Sequence, residues 1–186
     1  MFLEITRCSF YCSWICGGNT SNPTYSQVCT GKTGHTELVR VVWNKSIVHL
    51  CDLLKMFWEC HDPTQGNRQG NDSGSQYRSA IYLNNSQHEK LVLASLNAYQ
   101  KNLTNNGFST ITTEIKSKQD FYYAENYHQQ YLAKPGCRSY CSAMPTKVTL
   151  NDFPDAKFKL NKEVWLNFDW GIPHCVLRSD NSPIKQ

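Results

Sequence analysis

TELVRVVWNKSIVHLCDLLKMFWECHDP, residues 36–63, is where the fold of this chain is most legible. Residues 36–43 alternate. Glu37, Val39, Val41 and Trp43 point one way, and Leu38, Arg40 and Val42 the other, which is the period of a β-strand. From Ile47 the period changes. Ile47, Leu50, Leu54, Phe57 and Trp58 form one stripe over residues 47–59, with Pro63 beyond the end, so a helix follows the strand. Working outward, residues 9–16 are aromatic-rich and read as a strand closed by Gly17 and Gly18. Residues 19–34 are turn chemistry. Residues 62–76, DPTQGNRQGNDSGSQ, form a polar, Gly-rich loop of the kind that carries function or stays disordered. A short strand is expected at 79–83. Ser86 with Glu89 is a capping-box pattern, opening a helix that carries Val92, Leu96, Tyr99 and Leu103. A β-branched strand follows at 111–115, then an aromatic segment at 121–133, helical after Tyr123. Strands followed by strand–helix alternation predict an α+β domain, a sheet covered by helices. Residues 151–186 are expected to pack as irregular structure or to dangle.

The 186 residues, 40% hydrophobic, suit one domain with a real core. A net charge of +4 without a dense basic block points away from nucleic acid. The apolar runs are too short to span a bilayer, and the start, with Glu4 and Arg7, does not read as a secretory signal. The N-x-S/T triplets are therefore expected to be chance matches. Nine cysteines at irregular spacing do not make a closed disulfide framework. Cys8, Cys12 and Cys16 recur every fourth residue, on one face of a helix or a strand, but no His pair follows at zinc-finger spacing.

Four blocks carry chemistry: NPTYSQVCTGKTGHTE (22–37), FWECHDPTQGNRQGNDSGSQYRSAIY (57–82), ITTEI (111–115) and FYYAENYHQQYL (121–132). In order and spacing they resemble the signature blocks of the class A peptide methionine sulfoxide reductases. The resemblance implies a two-layer, ferredoxin-like plait and thiol-dependent reduction of methionine S-sulfoxide, either in proteins or as the free amino acid. It implies no cofactor and no metal, thioredoxin as the reductant, a monomer, and a cytoplasmic location, with mitochondria open to full-length forms. A sulfoxide sulfur is attacked by a thiolate while its oxygen takes a proton, so an acid and hydrogen-bond donors must face the oxygen. Glu37 matches the family's acid, with burial expected to keep it protonated. Tyr25 and Tyr77 match the oxygen-binding tyrosines, and Asp72 a supporting aspartate. Cys141 matches the first resolving cysteine, with Cys137 a neighbour lacking a family counterpart. Cys29, His61 and His128 also fall in matched blocks and are read as structural.

Family members open with a strand running into G-C-F-W-G, whose Cys is the nucleophile. No such motif occurs in this sequence, and 16 residues precede Gly17. The expectation is therefore an atypical segment at 1–16, a reductase-like domain at 17–142 without its first strand and helix, and a tail at 143–186. Cys16, beside the Gly-Gly turn, is the nearest stand-in for the nucleophile. The alternatives are a catalytically inactive chain that binds oxidised methionine or a protein partner, and a metal-binding variant using Cys8, Cys12 and Cys16.

Overall fold

The computed structural model describes residues 8–129, 134, 142–160 and 165, with residues 8–14 at the level of the backbone. Strand β1 (Cys8–Cys16) pairs antiparallel with β2 (Thr36–Trp43) on one side and with β7 (Phe121–Tyr123) on the other. Helix α2 (Leu50–Glu59) covers the face of β2 that the alternation assigned to the core, where Val41 and Trp43 pack on Val48, Leu53 and Met56. The opposite face is more open, and Val42 is 43% exposed. A separate parallel pair joins β5 (Ala80–Leu83) to β6 (Glu114–Ser117). The crossover between them carries α3 (Glu89–Asn105), as a parallel connection requires. The fold class is α+β, as expected from the order of elements.

Local chemistry sets the element ends. His49 caps α2, its Nδ1 accepting from the Cys51 amide at 3.3 Å while Asp52 Oδ2 accepts from His49 N at 2.8 Å. On α3, Val92, Ser95, Tyr99 and Leu103 form the buried stripe. Trp58 of α2 meets it, stacking on Tyr99 at 5.7 Å and donating from Nε1 to Ser95 Oγ at 3.0 Å.

Several expectations change. The turn-rich stretch 19–34 holds a short helix, α1 (Tyr25–Cys29), signalled by the Thr24–Gln27 capping box. Ser86 does not cap α3. Residues Ser86–His88 form a 3₁₀ turn capped by Asn85, whose side chain accepts from Gln87 N at 2.9 Å. The strand expected at 111–115 is shifted to Glu114–Ser117, because Ile111 and Thr112 are held by Gln100 and Pro63 instead. Residues beyond Tyr123 are turns as far as they are described, not helix; the rest of that prediction lies outside the described residues. The polar loop 62–76 is ordered by Asp62, which accepts from Thr64 N at 2.9 Å, and by a hairpin of β3 (Arg68–Gln69) with β4 (Asp72–Ser73).

Residues 142–160 lack regular structure, as expected, but do not dangle. Val148, Leu150 and Phe153 are buried in the same core as Trp58 and Tyr99. Three charged residues of α2 clamp this segment. Glu59 accepts from the Leu150 amide at 2.6 Å, and Lys55 donates to the Leu150 carbonyl at 2.9 Å and to Glu59. Asp52 accepts from the amides of Lys159 and Leu160, both at 3.1 Å. Each buried charge is thus compensated, which burial demands. Glu59→Ala would take the counter-charge from the Lys55 ammonium and leave the Leu150 amide without its acceptor. Urea unfolding should show a loss of about 3–5 kcal/mol; a loss below about 1 kcal/mol would show that the clamp is not structural.

Candidate functional site

The site is assembled around two turns. Gly17 and Gly18 end β1, where a side chain at Gly17 would overlap the Tyr82 hydroxyl and one at Gly18 the His35 ring. Gly17 also has φ +81°, a region open to glycine. His35 is buried and locks the crossing. Its Nε2–H donates to the Thr20 carbonyl at 2.8 Å, leaving Nδ1 to accept from Gly18 N at 3.1 Å. The TGH motif is therefore a brace for the next residues, Thr36 and Glu37. Thr36 is buried and donates from Oγ1 to the Gln76 carbonyl at 2.9 Å, tying the start of β2 to the turn that bears Tyr77.

Tyr77 ends the 3₁₀ turn Ser75–Tyr77, and Arg78 fixes that turn. Its guanidinium donates to Ser75 O at 2.8 Å, Gly34 O at 3.0 Å, Tyr82 Oη at 3.1 Å and Glu114 Oε1 at 3.1 Å. The Tyr82 hydroxyl also donates to Glu114. Burial alone would raise the Glu114 carboxyl, but hydrogen bonds from Lys116, Tyr82 and Arg78 hold it down at about 2. Tyr25 comes from the first residue of α1.

Glu37 and Tyr77, both named from the sequence, line one cleft, and Tyr25 is close enough for its phenol to feel their charge. Tyr25 is held well above the ordinary phenol range by its hydrogen bond to Cys29, by burial and by the charges of Glu37 and Tyr77. Burial raises Tyr77, and Glu37 raises it further. Glu37 is raised by desolvation, with Asp72 adding to it. The direction matches the sequence expectation, but the environment does not. Glu37 is solvent-exposed at the rim of a cleft rather than sealed among Val39 and Val41. Both phenols and the carboxyl are thus pushed toward their protonated forms. Asp72, on β4, lines the same cleft, of about 500 Å³, between β2 and β5. Cys141 and Cys137 lie outside the described residues, but Ser142, next in the chain, lines the cleft too.

The other named residues are elsewhere. Cys16 pairs with Thr36, and Ile15 with Glu37, so in the antiparallel ladder Cys16 projects from the face opposite Glu37. It is fully buried, and burial pushes its thiol up to about 11. The register shift between Cys8 and Phe10 breaks the alternation on which a single face for Cys8, Cys12 and Cys16 relied. Among the described residues no cluster of three or more metal-ligating side chains occurs. Likewise, no described helix is long and apolar enough to cross a membrane. His61 is a satisfied structural histidine. Its Nδ1–H donates to Phe57 O at 2.6 Å, its Nε2 accepts from Ser79 Oγ at 2.8 Å, and burial lowers it to about 4. His128 packs its ring 4.0 Å from that of Tyr25. Arg78, Gln76, Glu114 and Glu125 were not singled out from the sequence, although all four sit inside the matched blocks.

Comparison with known proteins settles the ancestry of this arrangement. A family model described as peptide methionine sulfoxide reductase matches residues 9–161. The chain belongs to the peptide methionine sulfoxide reductase family. It is 56% identical over 133 residues to the mitochondrial peptide methionine sulfoxide reductase of Bos taurus, covering 72% of this chain and 57% of the relative. Peptide methionine sulfoxide reductase MsrA of Rippkaea orientalis is 54% identical, over 71% of this chain and 60% of its own length. The chain therefore spans less than two thirds of these relatives. Methionine sulfoxide reductase A of Corynebacterium diphtheriae has a similar structure, with a TM-score of 0.69 and 39% identity over 78% of this chain and 73% of that one. Mxr1 of Saccharomyces cerevisiae in its reduced form gives a TM-score of 0.66 at 28% identity, over 76% of this chain and 80% of that one. The family match runs through the clamped segment 142–160.

The raised carboxyl predicts a pH signature. When a folded-state carboxyl lies above its unfolded value, both states are protonated at low pH and nothing is lost. As pH rises through the ordinary and then the raised value, the unfolded state ionises first and stability falls. Glu37→Gln removes that loss. Thermal unfolding should show the variant more stable at pH 7, by less than about 1 kcal/mol for so exposed a side chain. The gain should vanish at acid pH, and a gain of equal size at every pH would contradict the raised carboxyl.

Proposed function

We propose that this chain carries the oxygen-binding and proton-donating side of a thiol-dependent reduction of methionine S-sulfoxide. Family membership supports the reading, and the observation that carries it is the placing of Glu37, Tyr77 and Asp72 on one cleft, with all of Tyr25, Tyr77 and Glu37 shifted upward. Tyr25 and Tyr77 donate O–H bonds to the sulfoxide oxygen, polarising the S–O bond. Glu37 gives its proton to that oxygen as a thiolate attacks the sulfur. The attack forms a sulfur–sulfur bond and the protonated oxygen departs as hydroxide; a hydroxide then attacks the enzyme sulfur, the sulfur–sulfur bond breaks, methionine leaves as the thioether, and the enzyme sulfur is left as a sulfenic acid. Cys141 condenses with the sulfenic acid, forming a disulfide and releasing water, and the two thiols of thioredoxin then reduce that disulfide by exchange. Asp72 supports the step by disfavouring ionisation of Glu37.

The attacking thiolate is the role this reading leaves unfilled. The 186-residue sequence has no G-C-F-W-G, and Cys16 is excluded by its face and its burial. Burial also raises Cys51, and pushes Cys60 up to about 12, so neither supplies a thiolate at neutral pH. A second reading therefore stands beside the first: the chain binds oxidised methionine, or a partner displaying it, without turnover. The observation favouring it is the inert placing of Cys16. We further place the protein in the cytoplasm, acting as a monomer.

A thioredoxin-coupled assay on a methionine-sulfoxide peptide, run beside binding of the same peptide, separates these readings. The expected outcome is binding without turnover, with Tyr25→Phe and Tyr77→Phe each weakening binding about fivefold, as the loss of one hydrogen bond implies. Turnover at the rate of a full-length relative would refute the unfilled nucleophile role. Absence of binding would refute the sulfoxide pocket itself.

A further inference from the structure

Tyr25 is the first residue of α1, so its amide is one of the donors that a helix leaves unsatisfied. The local capping box does not serve it. Thr24 Oγ1 accepts from Gln27 N at 3.4 Å, and Gln27 Oε1 from Thr24 N at 2.9 Å. The partner comes instead from 100 positions away, where Glu125 Oε1 accepts from Tyr25 N at 2.9 Å. That bond is charge-assisted, and it is the first cause holding the Glu125 carboxyl below its ordinary range. The turn that carries Glu125 also carries His128, whose amide donates to the Glu125 carbonyl at 2.8 Å. The His128 ring lies 4.0 Å from the Tyr25 ring, tilted by 46°. One turn thus grips Tyr25 twice, at the backbone and at the ring.

The consequence concerns the hydroxyl. α1 has five residues, too few to hold its own first turn. Without an acceptor for the Tyr25 amide, that turn frays and the phenol loses its place opposite Tyr77 and Glu37. We infer that Glu125 is a positioning residue for the sulfoxide pocket, fixing the Tyr25 hydroxyl through the carboxylate–amide bond to the start of α1. The inference rests on the role proposed above for Tyr25.

The test uses the full chain and the variants Glu125→Ala, Glu125→Asp and Glu125→Gln. Three signals are followed: hydrogen exchange of the Tyr25 amide, the ring resonance of ¹³C-labelled Tyr25 (assigned with Tyr25→Phe), and affinity for N-acetylmethionine sulfoxide. In the parent the amide should be protected. Glu125→Ala should speed its exchange and lower affinity by about five- to tenfold, the weight of one charge-assisted hydrogen bond, and should shift the ring signal. Glu125→Asp, one methylene too short, should behave alike and covers the case in which the alanine variant does not fold. Glu125→Gln keeps an acceptor oxygen and should restore protection, ring signal and affinity to within about threefold of the parent. An unchanged amide and ring in Glu125→Ala, or in Glu125→Asp where alanine does not fold, would overturn the inference. So would a glutamine variant as impaired as the alanine one, because charge rather than the bond would then be acting. If the parent does not bind the sulfoxide, the pocket reading fails, while the amide and ring signals still decide the role of Glu125.

Discussion

The guanidinium of Arg78 is the contact on which the site depends. It reaches the Gly34 carbonyl in the turn before β2, the Ser75 carbonyl in the turn bearing Tyr77, and Tyr82 with Glu114 on the parallel pair. One arm of its planar fork, Nη1, serves Ser75, and the other, Nη2, shares its two hydrogens among Gly34, Tyr82 and Glu114, a two-sided reach that the single ammonium of lysine lacks. The side chain is 14% exposed, so these bonds act in a poorly solvated place where each is stronger than at the surface. Glu37 is held in the β1–β2 ladder opposite Ile15, whereas Tyr77 sits in a short 3₁₀ turn, and Arg78 with the Thr36–Gln76 bond sets the spacing between them.

That arrangement explains which parts of the molecule the sequence could reveal. The strand at 36–43 and the helix after it were legible because one apolar face imposes a period on many residues at once. The helix Tyr25–Cys29 was hidden among turn residues, although the Thr24–Gln27 pair was its signature. Residues 121–123 carry aromatics that suit helix or strand equally, and the open edge of β1 decides for strand. The 142–160 segment has no period at all. Its order comes from Asp52, Lys55 and Glu59, 91 to 107 positions away, and such long-range pairing leaves no local trace.

The candidate site divides along the same line. Tyr25, Glu37, Tyr77 and Asp72 were found through the matched blocks, and no periodicity would have singled them out. What holds them, Arg78, Glu114 and Glu125, stood in the same blocks, but charged residues in a loop ordinarily read as solvated. Only the partners, a carbonyl, a phenol and a helix amide, distinguish them. Likewise, the equal spacing of Cys8, Cys12 and Cys16 suggested a shared face, and the single register shift near Cys8 breaks it.

The thiols and the acid then obey one rule with opposite results. Burial disfavours whichever form is charged. For Tyr77 and for Glu37, raised by desolvation although exposed at the cleft rim, that favours the proton, the form a sulfoxide oxygen needs as a donor, while Tyr25 is raised first by its hydrogen bond to Cys29. For Cys16 the same burial preserves the thiol, the form that does not attack. A pocket that stabilises protonated donors is therefore hostile to a thiolate placed within its walls unless something further stabilises the sulfur anion. A helix N-terminus or a neighbouring cation would serve. Among the described residues desolvation holds the Cys16 thiol up, with Asp120 and Glu114 adding to it, and outweighs the Gly17 amide and Arg78, which favour the anion. The nucleophile of such a site must come from a segment with its own electrostatic support, which makes acid and thiolate separable parts of one reaction centre.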